Sequence, residues 1–391
     1  MKKPIRSIAF LSVFAVGFTL LPSARAQDKP AAKGQYIAYV GTYTTKTNSK
    51  GIYAYRFDAA KGQLTAIGVA AETTDPSFLA VHPDGKHLYA VNEIGNFNGG
   101  SEGAVSSFAI DAKAGTLKFL NQVSTRGPGP CYVSLDKTGA YVLVANYDGG
   151  SIASLPVQGD GTLGTASGFV QHSGSGPNKE RQEGPHAHWI GTSPDNRFAL
   201  AVDLGLDEVI IYNFDATKGT FTPMLTGFAK VKPGAGPRHL AFHPNGKFAY
   251  VLSEMESSVT AFSYQPKDGA LKPLQTISAL PQDYTGRKEA AEIAVHPSGK
   301  FLYTSNRGHD SIAIFGIDKK GMLKSLGYVL TGGKTPRHFA IDPAGNYLLA
   351  ENQESNNIVV FHIDAATGSL TPTGQTVEVP SPVCVTFVAA K

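Results

Sequence analysis

Residues 238–262 read RHLAFHPNGKFAYVLSEMESSVTAF. An apolar run meets a His-Pro-Asn-Gly turn, FAYVLS follows with alternating character, a polar break intervenes and VTAF resumes. This is the pattern of strand, tight turn, strand, loop, strand. Residues 337–361 repeat it as RHFAIDPAGNYLLAENQESNNIVVF, and residues 291–315 as AEIAVHPSGKFLYTSNRGHDSIAIF. Looser copies begin at Ser77, Cys131 and His188. Self-similarity of this length decides the architecture before any local reading does.

Each unit carries four strand-like runs, A to D; from Pro76 they are SFLAVH, HLYAVNE, AVSSFAID and LKFLNQVS. An x-Pro-x-Gly turn joins A to B, and a short Asp-and-Gly hairpin joins C to D, as at Asp111, Asp215, Asp318 and Asp364. Glycine supplies the positive φ of such turns and aspartate hydrogen-bonds its own backbone. Six A–B junctions occur, centred on Gly85, Gly139, Asn196, Gly246, Gly299 and Gly345. The chain from Tyr36 instead starts with a B-like strand, and a lone A-like strand, VCVTFVA, ends it from Val383. The two orphans complete one another. The expected fold is therefore all-β: a seven-bladed propeller of four-stranded antiparallel blades, closed by the C-terminal strand joining the N-terminal blade. A β-sandwich or an open stack of sheets gives no reason for complementary ends.

Lys2, Lys3 and Arg6 precede an apolar run from Ile8 to Leu21, and Ala24-Arg25-Ala26 follows. These are the n-region, h-region and small-residue site of an export signal cleaved after Ala26; an uncleaved membrane anchor is the alternative. The expectation is a signal peptide at 1–26 and one propeller domain at 27–391, periplasmic or secreted. Loss of Lys2, Lys3, Arg6 and Arg25 takes the formal net charge from +4 to about zero. The basic balance thus gives no argument for nucleic acid or an anionic membrane as partner. Cys131 and Cys384 are too few for a disulfide scaffold and fall on A strands two blades apart, so free thiols are expected. A closed ring needs no partner to fold, and a monomer is expected.

Strand direction alternates within a blade, so the start of A, the end of B, the B–C loop and the D–A crossover share one face. That face carries the long unequal loops, including 171–185 and 278–290, and function belongs there, at the mouth of the central channel. Aligned on the turn residue, the starts of A are Ser77, Cys131, His188, Arg238, Ala291 and Arg337. The ends of B are Asn92, Asn146, Asp203, Ser253, Asn306 and Asn352, followed by Glu93, Tyr147, Leu204, Glu254, Arg307 and Gln353. Charges beside a channel are costly unless paired or used. His188, Glu254, Arg238 and Arg307 depart from most of their equivalents and come from neighbouring blades, which makes them the candidate catalytic set. His186, Asp203, Asn146, Asn306 and Arg337 are candidate substrate contacts. The competing account of the Asn/Asp/Ser ring is bonding to the neighbouring blade's backbone, because it recurs in every unit. His82, His243 and His296 sit in the turns of the other face and read as turn chemistry. His239 and His338 read as interblade packing, and His309 as a rim contact.

These residues resemble the propeller-type lactonase family, which includes bacterial 6-phosphogluconolactonases and fungal carboxymuconate cyclases. The resemblance covers essentially all of the chain after the signal, and is most specific in GPHAHW from Gly184, GPRHLAFHPNGKFAYVLSE from Gly236 and SGKFLYTSNR from Ser298. It implies a seven-bladed propeller and places the family's His, Arg, Glu and Arg on His188, Arg238, Glu254 and Arg307. The expected chemistry is hydrolysis of a sugar-type lactone, a small molecule, without metal or other cofactor. His188, or Glu254 through His188, takes a proton from water and returns it to the ring oxygen. Arg238 and Arg307 hold a substrate carboxylate or phosphate and stabilise the oxyanion. The alternatives are a non-catalytic exported propeller that binds a ligand or protein, and a cycloisomerase or lyase forming a lactone from an unsaturated diacid.

Overall fold

The computed structural model describes Met1 and residues 34–391; the expected signal peptide at 1–26 lies almost wholly outside the described residues. Its twenty-eight strands make seven four-stranded antiparallel sheets. The first blade has β1 (Gln35–Thr42), β2 (Gly51–Asp58) and β3 (Gln63–Glu72), with the last strand of the chain, β28 (Pro382–Ala389), innermost. The second is β4–β7 (Leu79–Val81, His87–Asn92, Ala104–Ile110, Leu117–Ser124) and the third β8–β11 (Pro130–Leu135, Tyr141–Asn146, Ser151–Pro156, Gly168–Gln171). The fourth is β12–β15 (Ala187–Thr192, Phe198–Asp203, Glu208–Asp215, Thr220–Lys230) and the fifth β16–β19 (Pro237–Phe242, Phe248–Ser253, Ser258–Tyr264, Leu271–Ser278). The sixth is β20–β23 (Ala290–Val295, Phe301–Asn306, Ser311–Ile317, Leu323–Leu330) and the seventh β24–β27 (Pro336–Ile341, Tyr347–Asn352, Asn357–Ile363, Leu370–Glu378). Each innermost strand abuts the next, and β24 abuts β28, so the ring closes. The expected fold and closing strand are both present.

Burial explains the patterning. Second strands lie between neighbours on both edges and both faces, and β9, YVLVAN, is buried at every residue. Outermost strands read half-exposed, as in LKPLQTIS of β19. The A–B turns carry positive φ at Gly85, Gly139, Asn196, Gly246, Gly299 and Gly345. Their histidines tie adjacent blades: Nε2 of His82, His243 and His296 lies 3.1, 2.9 and 2.7 Å from the carbonyls of Gly139, Gly299 and Gly345. Tyr89, Tyr250 and Tyr303 donate similarly to the C–D turns of the next blade. Cys131 and Cys384 are buried free thiols.

Candidate active site

One local irregularity places three of the site's side chains. Pro237 pairs with Ser253 and His239 with Leu252, which leaves Arg238 as an extra residue between them. The same shift isolates Arg337 in β24, Cys131 in β8 and His188 in β12. In β20 it spans Ala290 to Ile293, so Ala291 and Glu292 are both skipped. A bulge residue has no ladder partner, and its side chain is re-aimed relative to the pleat. Here the re-aimed groups gather where the innermost strands begin.

Three of them help to line a cavity of about 190 Å³. Cys131, His188 and Arg337 reach it from strand starts; Glu93, Tyr147, Glu254 and Arg307 from the residue after a second strand; Arg181 from the crossover between β11 and β12. Glu254 is the electrostatic hub. Its Oε2 lies 2.8 Å from Arg307 Nη2 and 3.1 Å from Arg238 Nε, and its Oε1 accepts from Arg181 Nη2 at 2.7 Å. Burial pushes this carboxyl up, but Arg307, Arg238 and Arg181 outweigh it and hold it at about 2.

His188 is buried, with Nδ1 3.5 Å from Cys131 Sγ and the Tyr147 ring edge-on at 5.3 Å. Burial, then Arg238, His239 and Arg337, hold its pKa well below the ordinary histidine value, so the imidazole is neutral. Glu93 occupies in the second blade the place Glu254 has in the fifth. Its Oε2 accepts from Ser77 Oγ at 2.5 Å and Tyr43 OH at 2.8 Å, and Tyr43 OH accepts from Arg337 Nη2 at 2.8 Å. Burial pushes Glu93 up, against the pull of Arg337 and the two hydroxyls.

Of the expected catalytic residues, His188, Glu254 and Arg307 line the cavity, while Arg238 meets it through Glu254. Arg238 is 3% exposed and its Nη1 donates to the carbonyl of Ala291 at 2.5 Å. Both oxygens of Glu254 are taken by arginines, and no hydrogen bond joins it to His188 among the described residues. Arg337 is in place as a candidate substrate contact. Asn146, Asp203 and Asn306 are not: each is fully buried, because each ties a crossover loop to its strand end. Asn146 donates to Thr125 O and Asn306 to Ala279 O, while Asp203 accepts from His186 N and meets His172 Nδ1 at 2.6 Å. His186 stacks on Tyr147 at 4.6 Å, with Nε2 on Glu183, outside the cavity lining.

His239 and His338 pack across blades as expected, both against the Phe78 ring and His239 also against Tyr132, and both meet Glu292 Oε2, at 3.0 and 3.5 Å. His309 bonds Ser311 Oγ instead of the cavity. The residue sequence reasoning passed over entirely is Arg181, whose only signal was a charge within the long 171–185 segment. On the turn face, His82, Asp84 and His87 bring ligand atoms within 4.8 Å of one another. His82 Nδ1 already accepts the Asp84 amide there, at 3.2 Å.

Residues 37–387 match the family model described as "Lactonase, 7-bladed beta-propeller". A 6-phosphogluconolactonase of Bacillus subtilis is 41% identical over 355 residues, 90% of this chain and 99% of that protein. A 6-phosphogluconolactonase of Formosa agariphila is 37% identical over 74% of this chain and 82% of its own length. Among solved structures, the periplasmic gluconolactonase of Pseudomonas aeruginosa superposes with a TM-score of 0.85 at 35% identity, covering 91% of this chain and 100% of that one. A ring of seven four-stranded blades with a polar cavity at the strand starts, matched along nearly its whole length, leaves one conclusion: the chain belongs to the seven-bladed β-propeller lactonase family.

Proposed function

We propose that the protein hydrolyses a sugar-type lactone bearing an anionic group, without a metal, in the cavity at the channel mouth. The observation that carries this reading is the meeting, in that cavity, of a neutral buried imidazole with an arginine cluster organised by Glu254. Hydrolysis needs a base for the attacking water and fixed positive charge where the carbonyl oxygen becomes an oxyanion. His188 serves as the base. Nδ1 faces Cys131 Sγ, and no hydrogen bond engages Nε2 among the described residues. Arg307, Arg181 and Arg337 supply the charge, and Arg238 holds Glu254 in register from behind.

The arginines depress the basicity of His188 in the empty site. A substrate carboxylate or phosphate placed among them offsets that field and restores the base as it binds. Glu254 acts as an anionic clamp rather than a proton carrier, because its oxygens are committed to three guanidinium groups. A divalent cation would need those same oxygens and would sit among like charges, which argues for metal-independent chemistry.

The test is acid release from δ-gluconolactone and its 6-phosphate by purified protein, with and without a chelator. Turnover unaffected by the chelator and lost in His188→Ala is the expected result; absence of turnover on every lactone overturns the reading. We also propose export to the periplasm, on the N-terminal pattern and the likeness to a periplasmic relative. A mature protein beginning at Gln27 in the periplasmic fraction is the expected finding. No helix among the described residues is long and apolar enough to cross a membrane.

A further inference from the structure

The second and fifth blades place a carboxyl at equivalent positions, Glu93 and Glu254, three blades apart across the same cavity. Their surroundings differ. Glu254 faces Arg181, Arg238 and Arg307 directly, whereas Glu93 is held by two hydroxyls, with Arg337 reaching it only through Tyr43. Both hydroxyl bonds fall on Oε2, and no hydrogen bond engages Oε1 among the described residues. An oxygen accepting two donors is a carbonyl oxygen when the group is neutral, so a proton on Glu93 belongs on Oε1, the atom left for a ligand.

We propose that Glu93 is the general acid of the reaction, delivering its Oε1 proton to the ring oxygen of the lactone. The proposal rests on the hydrolytic reading above and divides the proton work between two residues. His188 Nε2 takes a proton from water as the water oxygen bonds to the carbonyl carbon. The oxyanion collapses, the bond from acyl carbon to ring oxygen breaks, and that oxygen leaves with the proton from Glu93. The imidazolium then loses its proton to solvent, Glu93 regains one from solvent, and the new carboxyl group releases its own proton to solvent, so that the hydroxy acid departs as its carboxylate. Two carboxyls held apart in acidity by their surroundings are the usual mark of such a division of labour. Burial keeps Glu93 protonated further up the pH scale than an ordinary glutamate, with Arg337 opposing and Asp148 assisting.

A general acid matters in proportion to how poor the leaving group is. The experiment compares wild type with Glu93→Gln on δ-gluconolactone 6-phosphate, which expels an alkoxide, and on a carboxylate-bearing dihydrocoumarin, which expels a phenolate. The expected result is a fall in kcat of about 100-fold or more on the sugar lactone, a much smaller fall on the aryl lactone, and loss of the alkaline limb of the pH profile. Tyr43→Phe, which removes one of the two bonds on Oε2, lowers the sugar-lactone rate less. Equal losses on both lactones, or no loss on either, overturn the assignment and leave Glu93 a structural group. If the aryl lactone does not enter the site, an alkaline limb that survives in Glu93→Gln overturns it instead. Wild type inactive on all lactones is a separate result, which removes the hydrolytic reading itself.

Discussion

Arg307 Nη2 stands 2.8 Å from Glu254 Oε2, the same oxygen that Arg238 Nε approaches at 3.1 Å. One carboxylate oxygen thus anchors guanidinium groups from the fifth and sixth blades, and the other anchors Arg181 from a crossover loop. Removing the anchor leaves buried like charges facing one another. Glu254→Ala should therefore cost about 3–5 kcal/mol of stability, beyond any loss of turnover. Urea unfolding measures it, and a variant as stable as wild type would refute the clamp.

Arg307→Ala should behave differently. The clamp keeps Arg181 and Arg238, so the fold persists, while the charge proposed to face the oxyanion is lost. A fall in kcat/KM of about 10²–10³-fold with a near-wild-type unfolding midpoint is expected, and unchanged kinetics would count against the oxyanion role.

The legible part of this site was the part tied to strand register. Counting from the turn residue fixes how far along the channel a side chain lies, which is why His188, Glu254 and Arg307 could be grouped from their spacing alone. Arg181 escaped because a crossover loop has no register to count. Asn146, Asp203 and Asn306 share the register but bond crossover loops; position in the repeat gives depth, not direction. Arg238 was found at the right depth, yet its guanidinium is spent on Glu254 and on the carbonyl of Ala291. Glu93 and Glu254 look alike in sequence, and what tells them apart in space is their partners: Ser77 and Tyr43 on the one, Arg181, Arg238 and Arg307 on the other.

His239 gives a pH-dependent expectation. Burial, then Arg238 against the opposing pull of Glu292, holds its pKa at about 4, with His338 nearby. The unfolded chain takes up that proton near 6.5, so this residue withdraws stability as pH falls from about 6.5 toward 4, by about 3 kcal/mol in full. Groups shifted upward, such as His338 and Glu93, act in the opposite sense and mask the total. The difference between wild type and His239→Asn isolates the effect: the variant should gain on wild type between pH 7.5 and 4.5 in urea unfolding. A pH-independent difference would contradict the burial of a neutral ring.

Closure by β28 can be tested by moving it. Ala390 N donates to Gln35 O at 2.9 Å, so the two ends of the ring lie side by side. Truncation before Pro382 should abolish cooperative unfolding, because it exposes the inner edge of β1. A permuted chain that starts at Pro382, runs to Lys391 and continues through a short linker into Gly34 should restore the native melt. Failure of the permutant alone would mean that closure needs more than strand pairing.

The extra residue at the head of the innermost strands has a wider bearing. Since Arg238, His188, Cys131 and Arg337 each stand outside the ladder, exchanging one side chain for another there breaks no backbone pairing. These positions act as interchangeable sockets around a rim, through which the chemistry of such a ring can be rewritten while its frame stays untouched.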